Sequence, residues 1–250
     1  MINMYQIFLI EMKLYTRDFF GFFFTFAFPS MLLLLFGSIY GNEPSDFNNG
    51  FGAIDVSIPA YCAMIIGVTG LMAFPLTLAH YKERGIYKRL DATPVGKGTI
   101  IWIQVAVNVV MTIIGFLLLF IVGKLVYDVK YDGHFLAICF VLLLSIAAIF
   151  AIGFLFTAIS RDSKITNLLC YLSYFIMLFL SGTTIPKAMF SDTLLSIAKL
   201  LPLTFVVDLL QGVFTGKSLT NFKLEIFMLV LIFLLCSLVG SIFYKRKNWA

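Results

Sequence analysis

Charge is the scarcest thing in this sequence. Asp, Glu, Lys and Arg supply 12% of its 250 residues, about half the share usual in soluble domains. Apolar side chains supply 61%, and the mean hydropathy is +1.00. A globular core of this length cannot bury that much apolar surface, so a bilayer must solvate it. The alternation of polar and apolar residues that marks a membrane β-barrel is also missing, which leaves helices as the spanning elements.

Other shortages exclude chemistry. The four cysteines, Cys62, Cys139, Cys170 and Cys236, fall inside apolar runs without metal-ligand spacing and read as small buried hydrophobes. The two histidines, His80 and His134, lie at opposite ends of spans, and no HExxH, GxSxG or paired acidic motif accompanies them. The central thirds of the spans hold no ionisable group, so proton relays and intramembrane catalysis have no material to work with. Gln104 and Asn108 are the strongest polar groups at depth and suit helix-to-helix hydrogen bonding. Gly212-Val213-Phe214-Thr215-Gly216-Lys217-Ser218 imitates a phosphate loop but has three residues, not four, before Gly-Lys, and it follows no strand. No cofactor or metal site is expected on this chain, and the net charge of +5 borders apolar runs, where it sets orientation and meets anionic lipid rather than nucleic acid.

The apolar runs give the fold expectation: an all-α integral membrane protein, residues 1–250 forming a single transmembrane domain. Residues 1–18 are too polar to span. On a helical wheel Asn3, Gln6, Lys13 and Arg17 share a face, and Tyr5, Ile7, Phe8, Leu9 and Met12 cover most of the rest, which predicts an amphipathic helix lying in the interface. No cleavable signal peptide is expected, because Glu11, Lys13, Arg17 and Asp18 precede the first apolar run. Six spans follow, at about 19–40, 57–81, 99–126, 135–159, 165–182 and 222–244, each long enough for a core of roughly 30 Å. Residues 186–220 are apolar in the middle but broken by Lys199, Pro202, Asp208 and Gly212. They read as a re-entrant helical element, with Gly182, Pro186 and Pro202 as its breaks.

Lys and Arg set the orientation. Of the 18, twelve fall on one side (Lys13, Arg17, Lys82, Arg84, Lys88, Arg89, Lys97, Arg161, Lys164, Lys245, Arg246 and Lys247) and six on the other (Lys124, Lys130, Lys187, Lys199, Lys217 and Lys223). Both termini are therefore expected in the cytoplasm, with the chain in the cell membrane.

The densest charge lies between the second and third spans, in Lys82-Glu83-Arg84-Gly85-Ile86-Tyr87-Lys88-Arg89-Leu90-Asp91. Ile86, Tyr87 and Leu90 form one apolar edge at helical spacing, and Pro94 ends the helix. An ordinary positive-inside loop needs the charges but not the ordered edge. A helix that docks in a groove of a cytosolic partner needs both.

These residues resemble a known family. Glu83-Arg84-Gly85, then Lys88-Arg89-Leu90, then Ala92-Thr93-Pro94-Val95 is similar to the E-R-G-x-x-(K/R)-R-L-x-A-T-P-(V/L) block of ABC transporter type 2 permeases. Leu180-Ser181-Gly182, Ile185-Pro186 and Leu200-Leu201-Pro202-Leu203-Thr204 resemble that family's looser signature around its re-entrant hairpin. The resemblance covers essentially the whole chain. It implies a permease that pairs with a second copy or a paralogue and seats a cytosolic ATPase subunit, which holds the ATP and Mg, so this chain itself is no enzyme. It implies a coupling helix over Glu83, Arg84, Gly85, Ile86, Tyr87, Arg89 and Leu90, with Lys13 and Arg17 as a second ATPase contact. It implies a substrate path at the dimer interface along the first, second and fifth spans, where Phe22, Phe26, Tyr61, Tyr171, Tyr174 and Phe175 stand. An aromatic lining without charge suits a hydrophobic or amphipathic cargo, such as a drug, antibiotic, lipid-like molecule or peptide, moved outward. Small residues at four-residue spacing, Ala63 with Gly67 and Ala147 with Ala151, allow close helix approach, between copies or within one. Polysaccharide export is an alternative within the family. A secondary transporter is an alternative outside it, although that class calls for inverted repeats and intramembrane ionisable groups.

Overall fold

Every apolar run long enough to cross a bilayer is helical. The computed structural model describes residues 4–44, 50–91, 96–185 and 187–246, and all its regular elements are helices. Helix α1 is Met4–Arg17, α2 Phe19–Tyr40, α3 Ala53–Glu83, α4 Ile86–Asp91, α5 Gly96–Tyr127 and α6 Phe135–Ile159. Then come α7 Ser163–Leu180, α8 Asp192–Ala198, α9 Pro202–Phe214 and α10 Lys223–Arg246. Six of these, α2, α3, α5, α6, α7 and α10, are long and apolar enough to span. The pair α8 and α9 is bent by 92° and forms the expected re-entrant element, although Pro186 lies outside the described residues.

Helix α3 is the hub of the bundle. It packs against α2, α5, α6, α7 and α9, and Leu33, Ile58, Ile65, Leu71, Phe74 and Leu78 are among the residues sealed in the core around it. Helix α9 dips back into the bundle and buries Leu203, Val206, Val207, Leu210 and Val213 against α3, α6 and α10. The outward faces of α2, α5, α7 and α10 carry exposed Leu, Ile and Phe, as a lipid-facing surface requires.

Two spans contain the same local device. Ala27-Phe28-Pro29 in α2 and Ala73-Phe74-Pro75 in α3 each follow a π-turn, Phe23–Ala27 and Thr69–Ala73. A proline has no N–H to give the carbonyl four residues back. The π-turn accommodates this by widening one turn: Phe28 N–H bonds to Phe23 O, and Phe74 N–H to Thr69 O. In α3 the widened turn meets α6. A Cβ on Gly153 would lie 2.0 Å from Gly70 O, so the two backbones touch. The Thr157 hydroxyl donates to Pro75 O at 3.2 Å.

Asp55 ties the ends of three spans together at the far face, opposite α1. Its carboxylate accepts from Asn42 Nδ2 at 2.8 Å, Gly52 N at 2.9 Å and Lys130 N at 3.0 Å, and it is 3% exposed. Asn42 in turn accepts from Ile54 N and donates to Tyr127 O. With these donors at a helix N-terminus, α3 begins at Ala53, ahead of the sequence estimate of about 57.

Candidate functional site: the end of helix α3

The last residues of α3 bind three different helices in succession. The Tyr81 hydroxyl donates to the Glu11 carboxylate of α1, 2.6 and 2.8 Å from its two oxygens. Lys82 Nζ donates to Ser160 O, the C-cap of α6, at 2.8 Å. Such a carbonyl lacks an intrahelical partner and favours a cation. Glu83 accepts from the Ser163 hydroxyl at the start of α7.

Gly85 then takes φ +64, a left-handed conformation that other residues resist, and turns the chain into α4. The sequence reading places Glu83, Arg84 and Gly85 inside one coupling helix with Leu90. The structure divides them: Glu83 ends the span, Arg84 and Gly85 form the turn, and the short helix is Ile86–Asp91. Tyr87 is sealed inside this chain at 1% exposure, edge-on to Tyr81 with ring centroids 6.4 Å apart. Burial pushes its phenol pKa well up. Tyr87 therefore clasps α4 to α3, while Ile86 is half-buried and Arg84 and Arg89 are exposed. The Leu90 side chain and residues 92–95 lie outside the described residues.

Helix α1 docks on the same corner. Tyr15 and Glu11 are buried, and Tyr15 shares a 2.7 Å hydrogen bond with Thr25 at the π-turn of α2. Burial also pushes the Tyr15 phenol up. Ile7, Phe8 and Met12 pack beside Tyr15, Phe26, Ile103 and Val107. Lys13 and Arg17 point outward and are exposed. A helical wheel does not single out Glu11, because its partner stands 70 residues away.

The aromatic residues assigned to a substrate path separate into two groups. Phe22, Tyr171 and Phe175 are exposed on the first and fifth spans, α2 and α7. Phe26, Tyr61 and Tyr174 are buried within the protomer. Tyr174 packs on Gly67, where a Cβ would stand 3.1 Å from the ring, so Ala63 and Gly67 serve internal packing here. At the re-entrant element Gly182 takes φ +90 after α7, Lys187 pairs with Asp208, and Pro202 opens α9 at a position where its missing N–H costs nothing.

In α5, Asn108 donates to Gln104 O and Thr112 bonds Asn108 O and Thr69. The Gln104 Nε2 and Asn108 Oδ1 atoms are buried without a partner among the described residues. Gln104 lines a cavity of about 480 Å³ between α1, α2, α3, α5 and α7, which also takes in Tyr171. No group of His, Cys, Asp and Glu that could hold a metal occurs among the described residues. No curated protein matches the chain. A family model described as "ABC-2 type transporter" matches residues 3–215.

Proposed function

We propose that this chain, which belongs to the ABC-2 type transporter family, is the permease subunit of an ATP-driven exporter for a hydrophobic or amphipathic cargo. Membership makes it the membrane-spanning part of an ABC transporter and not the ATPase, and implies a partnering ATPase subunit. Outward direction, cytoplasmic termini, placement in the cell membrane, pairing with a second permease and the nature of the cargo are our reading. On it, ATP and Mg act on the partner, and this chain binds neither.

One observation carries the reading: Tyr81, Lys82 and Glu83 join α3 to α1, α6 and α7 immediately before the turn into α4. A force applied to α4 by a closing ATPase has no slack joint to absorb it. Tyr87 passes it to Tyr81, and α3 passes it to three neighbours at once. The charged groups left outward, Arg89 on α4 and Lys13 and Arg17 on α1, supply a surface for the partner. Phe22, Tyr171 and Phe175 stay exposed on α2 and α7, so an aromatic path forms where two copies bring those spans together. ATP-driven alternation then follows from the differential affinity of two arrangements for cargo and nucleotide.

The test is Leu90→Asp. A charge forced into a groove shaped for an alkyl chain costs several kcal/mol. The variant permease should reach normal abundance, lose the cytosolic ATPase that co-purifies with wild type, and lose ATP-dependent uptake of a fluorescent amphiphile into inside-out vesicles. Retained association and uptake would remove α4 as the coupling element. Association without uptake into inside-out vesicles, in wild type, would overturn the export direction.

A further inference from the structure

We infer that the cavity beneath α1 is a binding site for an amphiphile whose polar end carries an ammonium beside an anionic group. The cavity, about 480 Å³, opens where α1 meets the start of α2 and the end of α3. That volume is in the range of small-molecule sites, roughly 300–1,000 Å³.

Opposite charges border it without meeting. Asp18 stands at the α1–α2 junction, near Tyr15 and Tyr171, and one of its oxygens caps α2 by accepting from Gly21 N at 3.1 Å. Arg84 also borders the cavity, near Tyr81. Among the described residues neither forms an ion pair. Opposite charges that border one cavity without pairing match a ligand that carries both charges itself.

The rest of the lining fits the remainder of such a molecule. Val68, Met72, Leu76 and Phe20 give an apolar wall for a hydrocarbon chain. The rings of Tyr15 and Tyr171 flank Asp18, where they can cover the ammonium. Glu11 also borders the cavity, but its carboxylate is engaged by Tyr81, so Asp18 is the acidic group left for the ligand. The occupant could come from the bilayer, as an aminophospholipid, or arrive as a free amphiphile of the same chemistry. The site does not depend on the direction of transport.

The experiment uses the purified full chain in detergent, titrated with dihexanoyl phosphatidylethanolamine and, as the amine-free comparison, dihexanoyl phosphatidylglycerol. Wild type should bind the amine-bearing lipid about tenfold more tightly, the size of one charge-assisted contact of about 1.4 kcal/mol. Asp18→Asn keeps the helix cap and removes the charge, so it should erase that preference. Arg84→Gln should weaken both lipids about tenfold. If Asp18→Asn fails to fold, Asp18→Ser replaces it as another capping residue. Native mass spectrometry of protein taken directly from membranes separates the sources. One retained aminophospholipid per chain, lost in the Asp18 and Arg84 variants, identifies a bilayer lipid. Variant-dependent binding of the added short-chain lipid with no retained lipid identifies a free amphiphile. Equal binding of both lipids by wild type and variants would mean annular association only and would overturn the site.

Discussion

Helices α2 and α3 carry the same punctuation and use it differently. Both have a π-turn leading into Ala-Phe-Pro. In α3, 83% of the most apolar stretch is buried inside the protein, and in α2 only 28%. Each π-turn also faces a glycine of another helix. Gly153 of α6 meets the α3 turn so closely that a Cβ would lie 2.0 Å from Gly70 O, whereas a Cβ on Gly115 of α5 would lie 3.2 Å from Thr25 O of α2. A local π-turn is therefore not a mechanical property by itself. In α3 it is gripped on every side and becomes part of the frame, while in α2 one side is exposed on the protomer and the helix retains room to give.

The largest expected contrast lies in those two glycines. Gly153→Ala drives a methyl into a backbone oxygen, which cannot rotate away, and overpacking of this kind costs about 1–3 kcal/mol. That outweighs the gain of up to about 1 kcal/mol in helix propensity. Folded yield and melting temperature in detergent should fall clearly. Gly115→Ala asks its neighbours for only a few tenths of an ångström and should lower the melting temperature much less than Gly153→Ala. Equal melting temperatures for the two variants would break the comparison.

The prolines give the next contrast. Pro75→Ala restores an N–H and invites α3 to rewind as a regular helix. Losing one residue from the wide turn rotates everything beyond it by about 100°. The bonds of Tyr81, Lys82 and Glu83 cannot follow such a rotation, so permease should accumulate but transport should be lost. Pro29→Ala should keep most of the transport, because α2 has a free side. Inside-out vesicle uptake normalised to permease abundance measures both, and a Pro29 variant as impaired as the Pro75 variant would show that exposure does not decide the outcome.

The smallest contrast concerns how α1 is held. Tyr81→Phe strips a buried carboxylate of its phenol, a charged hydrogen bond worth about 1.5–3 kcal/mol. Tyr15→Phe removes a neutral bond to Thr25, worth about 0.5–1.5 kcal/mol. Trypsin should therefore cut at Lys13 and Arg17 faster in the Tyr81 variant than in the Tyr15 variant, and faster in both than in wild type.

The six spans, the interfacial helix and the re-entrant break are legible in the sequence because the length of an apolar run and its interruptions are local properties. What escapes is set by distant partners. Asp55 shortens the apparent second span, since a carboxylate lowers local hydropathy, yet three donors from elsewhere admit it to the helix. Glu11 looks like a water-facing charge on an amphipathic helix until Tyr81 arrives from the second span. Tyr87 sits on an apolar edge that suits a partner, and helical spacing cannot tell that Tyr81 takes it first. Pro29 and Pro75 stand inside apolar runs beside the two π-turns, but only Gly153 and Thr157 of α6 reveal that one of these turns is fixed. At the candidate site the sequence points to the loop after the second span, and the contacts that make it a junction come from α1, α6 and α7.

The Asp55 knot also has a history during synthesis. When only the first hairpin has crossed the bilayer, Asp55 has Asn42 and Gly52 as donors, and the third, Lys130 N, does not yet exist. The carbonyl of Tyr127, which receives Asn42, is missing as well. Both arrive together, on the far side, once the third span has threaded through in the correct direction. Completion of the knot is thus a local readout of topology: a third span inserted backwards leaves a buried carboxylate short of a partner and the hairpin unsealed. A single acidic side chain near the start of the second span thus makes the sealing of the first hairpin depend on the third span.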